Sequence, residues 1–413
     1  MKLIKSFKAL RPKKGKENDV IAPPYDVLSS AEAREMAKNK PFSFLHVSKP
    51  EIDLDNKIEF NNPKVYEKGA ENLNNLIKNK VLIQDDEDCL YIYEITLNET
   101  SQTGIGCVAS IDAYEKNIIK KHEYTKPTKE DDRVENITKL NAQTGPVLLA
   151  YKNTDKASKA IHKVKDQKPL YNVFAYDGSN HKIWIINNKD QIEKILSEIN
   201  SMDSLFIADG HHRSAAAARV REKFSKINLN HDGNENYNYF LAVAFPHSEM
   251  TILDYNRIIR GLNGQSINSL ISSIEKNYSI KKHNDEFKPT TKNTFGMYID
   301  KNWYELNAIK ENMNLTDPVK SLDVSILHDT IIEPLLGIYD ERTDPRIDFV
   351  GGARGLKELE RRVNNDNFDI AFALFPTPIE ALINVAEANK VMPPKSTWFE
   401  PKLLDGLLSH LLN

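Results

Sequence analysis

The sequence predicts an α+β protein built of mixed sheets with flanking helices. Three observations carry that expectation. Short apolar runs bounded by polar turns recur from residue 89 onward, as antiparallel strands do. Segments with helical apolar spacing flank and separate them. A four-residue apolar strand, Leu205-Phe206-Ile207-Ala208, passes through Asp209-Gly210 into an alanine-rich helix.

Taken in order, a basic loop at 13–18 leads to Ile21-Ala22-Pro23-Pro24-Tyr25-Asp26-Val27, where two consecutive prolines fix an extended path. Ser30 ahead of 31–37 reads as a capped helix, and 65–81 as a second one. The runs 90–95 and 106–111, joined by a polar turn at 98–104, begin a meander. A charged stretch at 122–135 precedes a strand at 146–151. Asp177-Gly178-Ser179-Asn180 then turns a hairpin between 172–176 and 182–186. A helix at 190–199, the 205–208 strand, a helix at 214–224 and a strand at 239–245 follow. The polar loop 228–238 is a candidate lid or an inert surface loop. From about 263 the chain reads as a further module that ends in a short amphipathic helix from Leu403.

Composition excludes several function classes. With 413 residues, 40% of them hydrophobic, the chain has apolar material for two or three domains. A net charge of −3 gives no global field toward nucleic acid or anionic membrane. Two cysteines in so long a chain make neither a disulfide framework nor a zinc ribbon. No signal-peptide h-region and no membrane-length apolar run stand out, so a cytoplasmic protein is expected.

Asp209-Gly210-His211-His212-Arg213 carries most of the chemistry. Glycine permits a sharp turn and close approach to a ligand. The helix that starts there offers amide N–H groups and a positive dipole end, which suit a phosphate. His211 and His212 add donors, and the Arg213 fork can grip phosphate in two places. Asp209 suits a magnesium ion or the orientation of a histidine. The bland alternative is an ordinary helix start with solvated histidines.

A second constellation is His122-Glu123-Tyr124-Thr125 with Lys129 and Arg133. A carboxylate such as Glu123 can accept a hydroxyl proton during phosphoryl transfer, and Lys129 and Arg133 share a helical spacing. The same residues also suit a solvated, charged helix start. Tyr25, Asp26, His46, Arg257, Arg354 and the Lys395-Ser396-Thr397 turn are polar groups in turn-like settings; each reads equally as structural. Gly351-Gly352 lacks the spacing and the following lysine of a P-loop.

With those residues in view, the chain resembles domain-of-unknown-function family 1015, nearly end to end. The resemblance rests on Ala22-Pro23-Pro24-Tyr25-Asp26-Val27, on His122 to Thr125 and on Asp209 to Arg213. It also uses Met250-Thr251-Ile252-Leu253 with Tyr255-Asn256-Arg257, and Met392-Pro393-Pro394-Lys395-Ser396-Thr397. Asn256 departs from the pattern, which has histidine there. The central part is similar to the free serine kinases of the ParB/sulfiredoxin superfamily. The resemblance implies a ParB/sulfiredoxin-like catalytic core at 106–262, between modules at 1–105 and 263–413. It implies that Glu123 deprotonates the hydroxyl of free L-serine, and that Asp209, Gly210, His211, His212 and Arg213 hold the phosphoryl group.

O-phospho-L-serine, a precursor for cysteine synthesis, is then the product. Pyrophosphate is the implied donor, with ATP or ADP as alternatives and Mg²⁺ as cofactor. Arg133 joins the phosphate site in this reading. Tyr25, Asp26, His122, Thr125, Arg257, Lys395, Ser396 and Thr397 are expected to line the serine pocket. The partners are small molecules, without nucleic acid or membrane.

Two rival readings remain. One is a metal-dependent hydrolase using His211, His212, His46 and His122. Adjacent histidines at a helix start point about 100° apart, and no His-Glu-x-x-His pattern accompanies them. The other is a non-catalytic ParB-like regulator binding nucleotide or DNA, against which the mild acidity and missing basic arm argue.

Overall fold

A computed structural model describes residues 2–309 and 316–413. The fold is α+β with mixed sheets, as expected, and its contacts divide the chain into two units. The first comprises Met1–Lys121, Thr125–Met250 and Pro401–Asn413; the second comprises His122–Tyr124 and Thr251–Glu400. The part of the expected C-terminal module at 310–315 lies outside the described residues.

The first unit is organised on a nine-stranded sheet. Its order runs Ile119–Lys120, Leu205–Asp209, Val147–Tyr151, Tyr239–Pro246, Thr100–Ser110, Leu90–Leu97, Asn180–Ile186 and Tyr171–Phe174, with Ile4–Lys5 also pairing Thr100–Ser110. Two pairings are parallel, Leu205–Asp209 with Ile119–Lys120 and Tyr239–Pro246 with Val147–Tyr151; the rest are antiparallel. The inner strand Val147–Tyr151 is buried at every position because both of its faces are covered. The edge strand Tyr171–Phe174 instead alternates buried and exposed residues.

Helices cover the sheet, each with a recognisable start. Asn62 caps Pro63–Lys78, which has proline in its first turn. Proline also opens Pro127–Leu140, and Asn141 at φ 50° ends it in the left-handed conformation. The early helix starts one residue sooner than Ser30 suggested: Ser29 and Glu32 form a reciprocal capping box. Val134 and Ile137 of Pro127–Leu140 pack with Ala216 and Val220 of the helix His211–Ile227.

Three expectations are corrected. Residues 1–105 and 106–262 are not separate modules, because the strand Thr100–Ser110 crosses that boundary inside the sheet. The second division falls at Met250/Thr251 rather than 262/263. No helix starts at Leu403. Residues 403–410 are all buried, so the leucine run has no polar face, and Gly406 takes φ 89°. The segment runs extended: Asp405 bridges Ala22, and His410–Leu411 pairs Ala142–Gln143.

The second unit holds a six-stranded antiparallel sheet, in the order Tyr278–His283, Asn302–Ala308, Thr294–Ile299, Ile370–Leu374, Tyr255–Ile259 and Ile347–Gly351. The helix Leu356–Asn365 packs on it through Leu356 and Leu359. Among the described residues, no helix is long and apolar enough to cross a membrane.

Candidate active site

The strand Leu205–Asp209 ends one residue before the helix His211–Ile227, and Gly210 makes the whole turn. Gly210 has φ 97°, and a β-carbon there would lie 3.3 Å from Val147 Cα. Positive φ and a close backbone neighbour both demand glycine. Gly210→Ala is therefore expected to cost on the order of 1–3 kcal/mol; chemical denaturation measures it, and an unchanged midpoint would contradict the strain. The fully buried Ala216 and Ala217 let the helix lie close to its support. As N-cap, Gly210 contributes no side-chain hydrogen bond, so the helix tip keeps its positive pole uncovered by a cap.

Charged groups converge on this corner. Asp209 Oδ1 accepts from Gly210 N–H at 2.7 Å, and Oδ2 accepts from Lys402 Nζ at 2.8 Å. Arg213 Nη1 donates to Pro146 O at 2.8 Å and Nη2 to Asp26 Oδ1 at 3.4 Å. The Tyr25 ring lies 5.4 Å from the Arg213 guanidinium and 4.0 Å from that of Arg133. Arg133 is tied to Asp132 at 2.6 Å, and Asp132 accepts from Tyr66. Asp26, Asp209, Arg213 and Lys402 line one cleft, walled by Pro24, Pro146 and Pro401. Prolines have fixed φ, so these walls are stiff.

Burial alone would raise the Asp209 carboxyl, but Lys402, Arg213 and His211 outweigh it and hold it well below the usual carboxylate range. Asp209 is thus ionised and already surrounded by cations and donors. Its two oxygens, which would hold a magnesium ion, each accept one hydrogen bond, from Gly210 and from Lys402, and each keeps a further lone pair. Lys402→Met is expected to let the Asp209 carboxyl rise toward its ordinary value and to weaken anion binding about tenfold or more. Phosphate titration by calorimetry checks this, and unchanged affinity would remove Lys402 from the site.

Asp405, which no motif announced, lies beneath Arg213 and Tyr25. Burial pushes its carboxyl up to about 7, with Asp26 adding to the rise and Arg213 and Arg133 pulling against it. A carboxyl raised in the folded state favours the proton-bound form. Its stabilising effect is therefore complete below pH about 4 and is lost as pH rises through 7, by at most on the order of 4 kcal/mol. Asp405→Asn should flatten stability between pH 4 and 7. A slope equal to wild type in urea denaturation would exclude Asp405 as its source.

The other expected residues fall in several places. His212 Nε2 accepts from Lys126 N–H at 3.0 Å, so its ring N–H sits on Nδ1. His211 is buried. The Thr125 hydroxyl donates to Glu130. His46 is fixed between Asp53 and Lys40 O, which accounts for it as structure. Glu123 and the buried His122 belong by their contacts to the second unit, where Met392 N–H donates to His122 O.

Arg257 is 0% exposed, and its guanidinium donates to Tyr255 O, Lys395 O and Pro394 O and pairs with Glu341. It braces the 392–397 turn of the second unit. Within that turn, Ser396 Oγ donates to Pro393 O, Thr397 is partly buried, and the Lys395 ammonium lies over the Tyr255 ring. Asn256, the departure from the family pattern, is fully buried and links Asp254 to Leu374 N–H. In the candidate lid, Glu235 accepts from Asp232 and Gly233 amides, and His231 stacks on Tyr237.

Fold and corner define an α+β protein with a glycine turn between strand and helix, at which Asp209, Arg213 and Lys402 converge. The chain belongs to the family described as "Protein of unknown function (DUF1015)", which matches residues 4–325. No curated protein matches it by sequence. Among solved structures it is similar to a conserved hypothetical protein from Pyrococcus furiosus, at 15% identity and a TM-score of 0.36, over 74% of this chain and 95% of that one. It is also similar to a free serine kinase in complex with AMP, at 14% identity and a TM-score of 0.36, over 73% and 91%. A third is SbnI with C-terminal truncation from Staphylococcus aureus, at 10% identity and a TM-score of 0.37, over 74% and 86%. These likenesses are distant, and no chemistry of this chain rests on them.

Proposed function

We propose that this protein is a phosphotransferase that converts free L-serine to O-phospho-L-serine, with inorganic pyrophosphate as donor. The observation that carries the reading is the corner at Gly210. There a helix starts without a side-chain cap, and the Arg213 fork and the Lys402 ammonium line one proline-walled cleft. Such a set suits a phosphoryl group and its departing phosphate.

In the reaction, Glu123 takes the proton of the serine hydroxyl as its oxygen attacks phosphorus. The bond from that phosphorus to the bridging oxygen breaks, and phosphate leaves with the electron pair. Arg213, Lys402 and the helix tip carry the charge that collects on it, a contribution that typically reaches about 10²–10³ in rate for one donor. The ionised Asp209 holds Lys402 in place. Magnesium, when bound, would offset charge on the pyrophosphate.

The reading supports a cytoplasmic role in supplying cysteine synthesis. It is tested by incubating the protein with L-serine and, separately, pyrophosphate, ATP and ADP, each with and without Mg²⁺. Mass spectrometry should find phosphoserine with pyrophosphate. Product from ATP or ADP alone would keep the transferase and replace the donor; no product from any of the three would overturn both.

A further inference from the structure

Asp405 is 1% exposed, and its backbone is locked to Ala22 by a pair of hydrogen bonds of 2.9 and 3.1 Å. Its side chain lines a partly open cavity of about 30 Å³ together with Tyr25, Ser48, Arg133, Gly145 and Arg213. Asp405 Oδ1 and Ser48 Oγ are buried there without a hydrogen-bond partner among the described residues. An unsatisfied buried polar atom costs about 1–3 kcal/mol, so each calls for an explanation.

Gly145 supplies one. A β-carbon on it would lie 3.3 Å from Asp405 Oδ1, 3.3 Å from Arg213 Nε and 3.4 Å from Arg213 Cζ. The missing side chain therefore leaves a point close to the carboxylate and to the inner edge of the guanidinium. A water standing off Gly145 Cα, in the space a β-carbon would crowd, would be within reach to accept from Arg213 Nε–H and donate to Asp405 Oδ1. About 10–15 Å³ admits a water, so the cavity takes roughly two, the second serving Ser48.

We propose that Asp405 is a positioning residue for the phosphate site, acting through a water over Gly145 on the pitch and effective charge of the Arg213 guanidinium. This rests on the phosphotransferase reading, which gives Arg213 an anion to hold. Arg213 is otherwise fixed by Pro146 O, by the loose contact to Asp26 and by the Tyr25 ring. The bridge to Asp405 sets its remaining edge. The charged and titratable groups that face Asp405 are Arg213, Asp26, Arg133 and Tyr25. A neutral Asp405 leaves the Arg213 charge whole, and an ionised one partly cancels it. Grip on an anion thus loosens as Asp405 loses its proton, and burial places that loss near neutral pH.

The test reads Arg213 directly, by ¹⁵N NMR of the arginine Nε–H groups in the full chain without donor. In wild type the Arg213 signal should move with pH around neutrality. Asp405→Asn should abolish that movement. Gly145→Ala, which fills the gap, should displace the signal and shrink its titration; if Asp405→Asn does not fold, this variant and the wild-type titration decide. In parallel calorimetry with pyrophosphate, Asp405→Asn should bind about threefold more tightly at pH 8 and Gly145→Ala about tenfold more weakly. KM for the donor should follow these changes, with kcat held within about twofold. An Arg213 signal that titrates alike in wild type and Asp405→Asn, or a Gly145→Ala protein with unchanged signal and affinity, overturns the proposal. Wild-type protein that shows the NMR coupling yet binds no pyrophosphate overturns the phosphotransferase reading instead.

Discussion

Arg213→Lys is expected to lower kcat/KM for the phosphoryl donor by about 10²–10³, although it keeps the positive charge. The reason lies in what the guanidinium touches. One nitrogen donates to Pro146 O, the plane faces Tyr25, and the inner edge approaches Asp405 across Gly145. An ammonium is a point charge without a fork, so it can satisfy one of these while leaving the anion in a single contact. Most of the loss should fall on donor KM, because the interaction begins in the ground state. The fold should survive, with a loss of roughly 1–2 kcal/mol for the broken contacts. Steady-state kinetics beside a melting curve separate the two. Wild-type kcat/KM in a folded Arg213→Lys protein would take Arg213 out of the donor site.

Glu123→Gln is the second large effect. It preserves shape and removes only the basic oxygen, so turnover should drop by about 10²–10⁴. Pyrophosphate affinity and thermal stability should stay close to wild type. A loss of donor affinity equal to the loss of turnover would assign Glu123 to binding. Retained turnover would require another base.

The corner was legible in the sequence because its determinants are local. An apolar strand, one glycine and a helix start sit within a few residues of one another, and the structure keeps them in that order. The strands were legible for a similar reason: their apolar runs are short and bounded by turn residues. What escaped was what comes from a distance. Lys402 reaches Asp209 across 193 residues, and nothing near position 402 announces a partner. The segment after it reads as an amphipathic helix because leucines recur there. Gly406 and the buried serine, aspartate and histidine among those leucines were the overlooked signals.

Arg257 misled in the opposite direction. A polar side chain in a turn-like setting suggested a ligand, but its terminal nitrogens serve Tyr255 O, Glu341 and the Pro394 and Lys395 carbonyls of the 392–397 turn. The boundary at 105/106 falls inside the strand Thr100–Ser110, whose first half reads as a polar turn because its apolar run begins only at 105.

Phosphoryl transfer itself is tested most directly by ³¹P NMR of the protein with L-serine, pyrophosphate and Mg²⁺. A phosphomonoester signal should grow in step with inorganic phosphate, one for one, and should vanish when serine is omitted. Phosphate appearing without the ester, or at the same rate without serine, would make the corner a hydrolytic site and contradict the account.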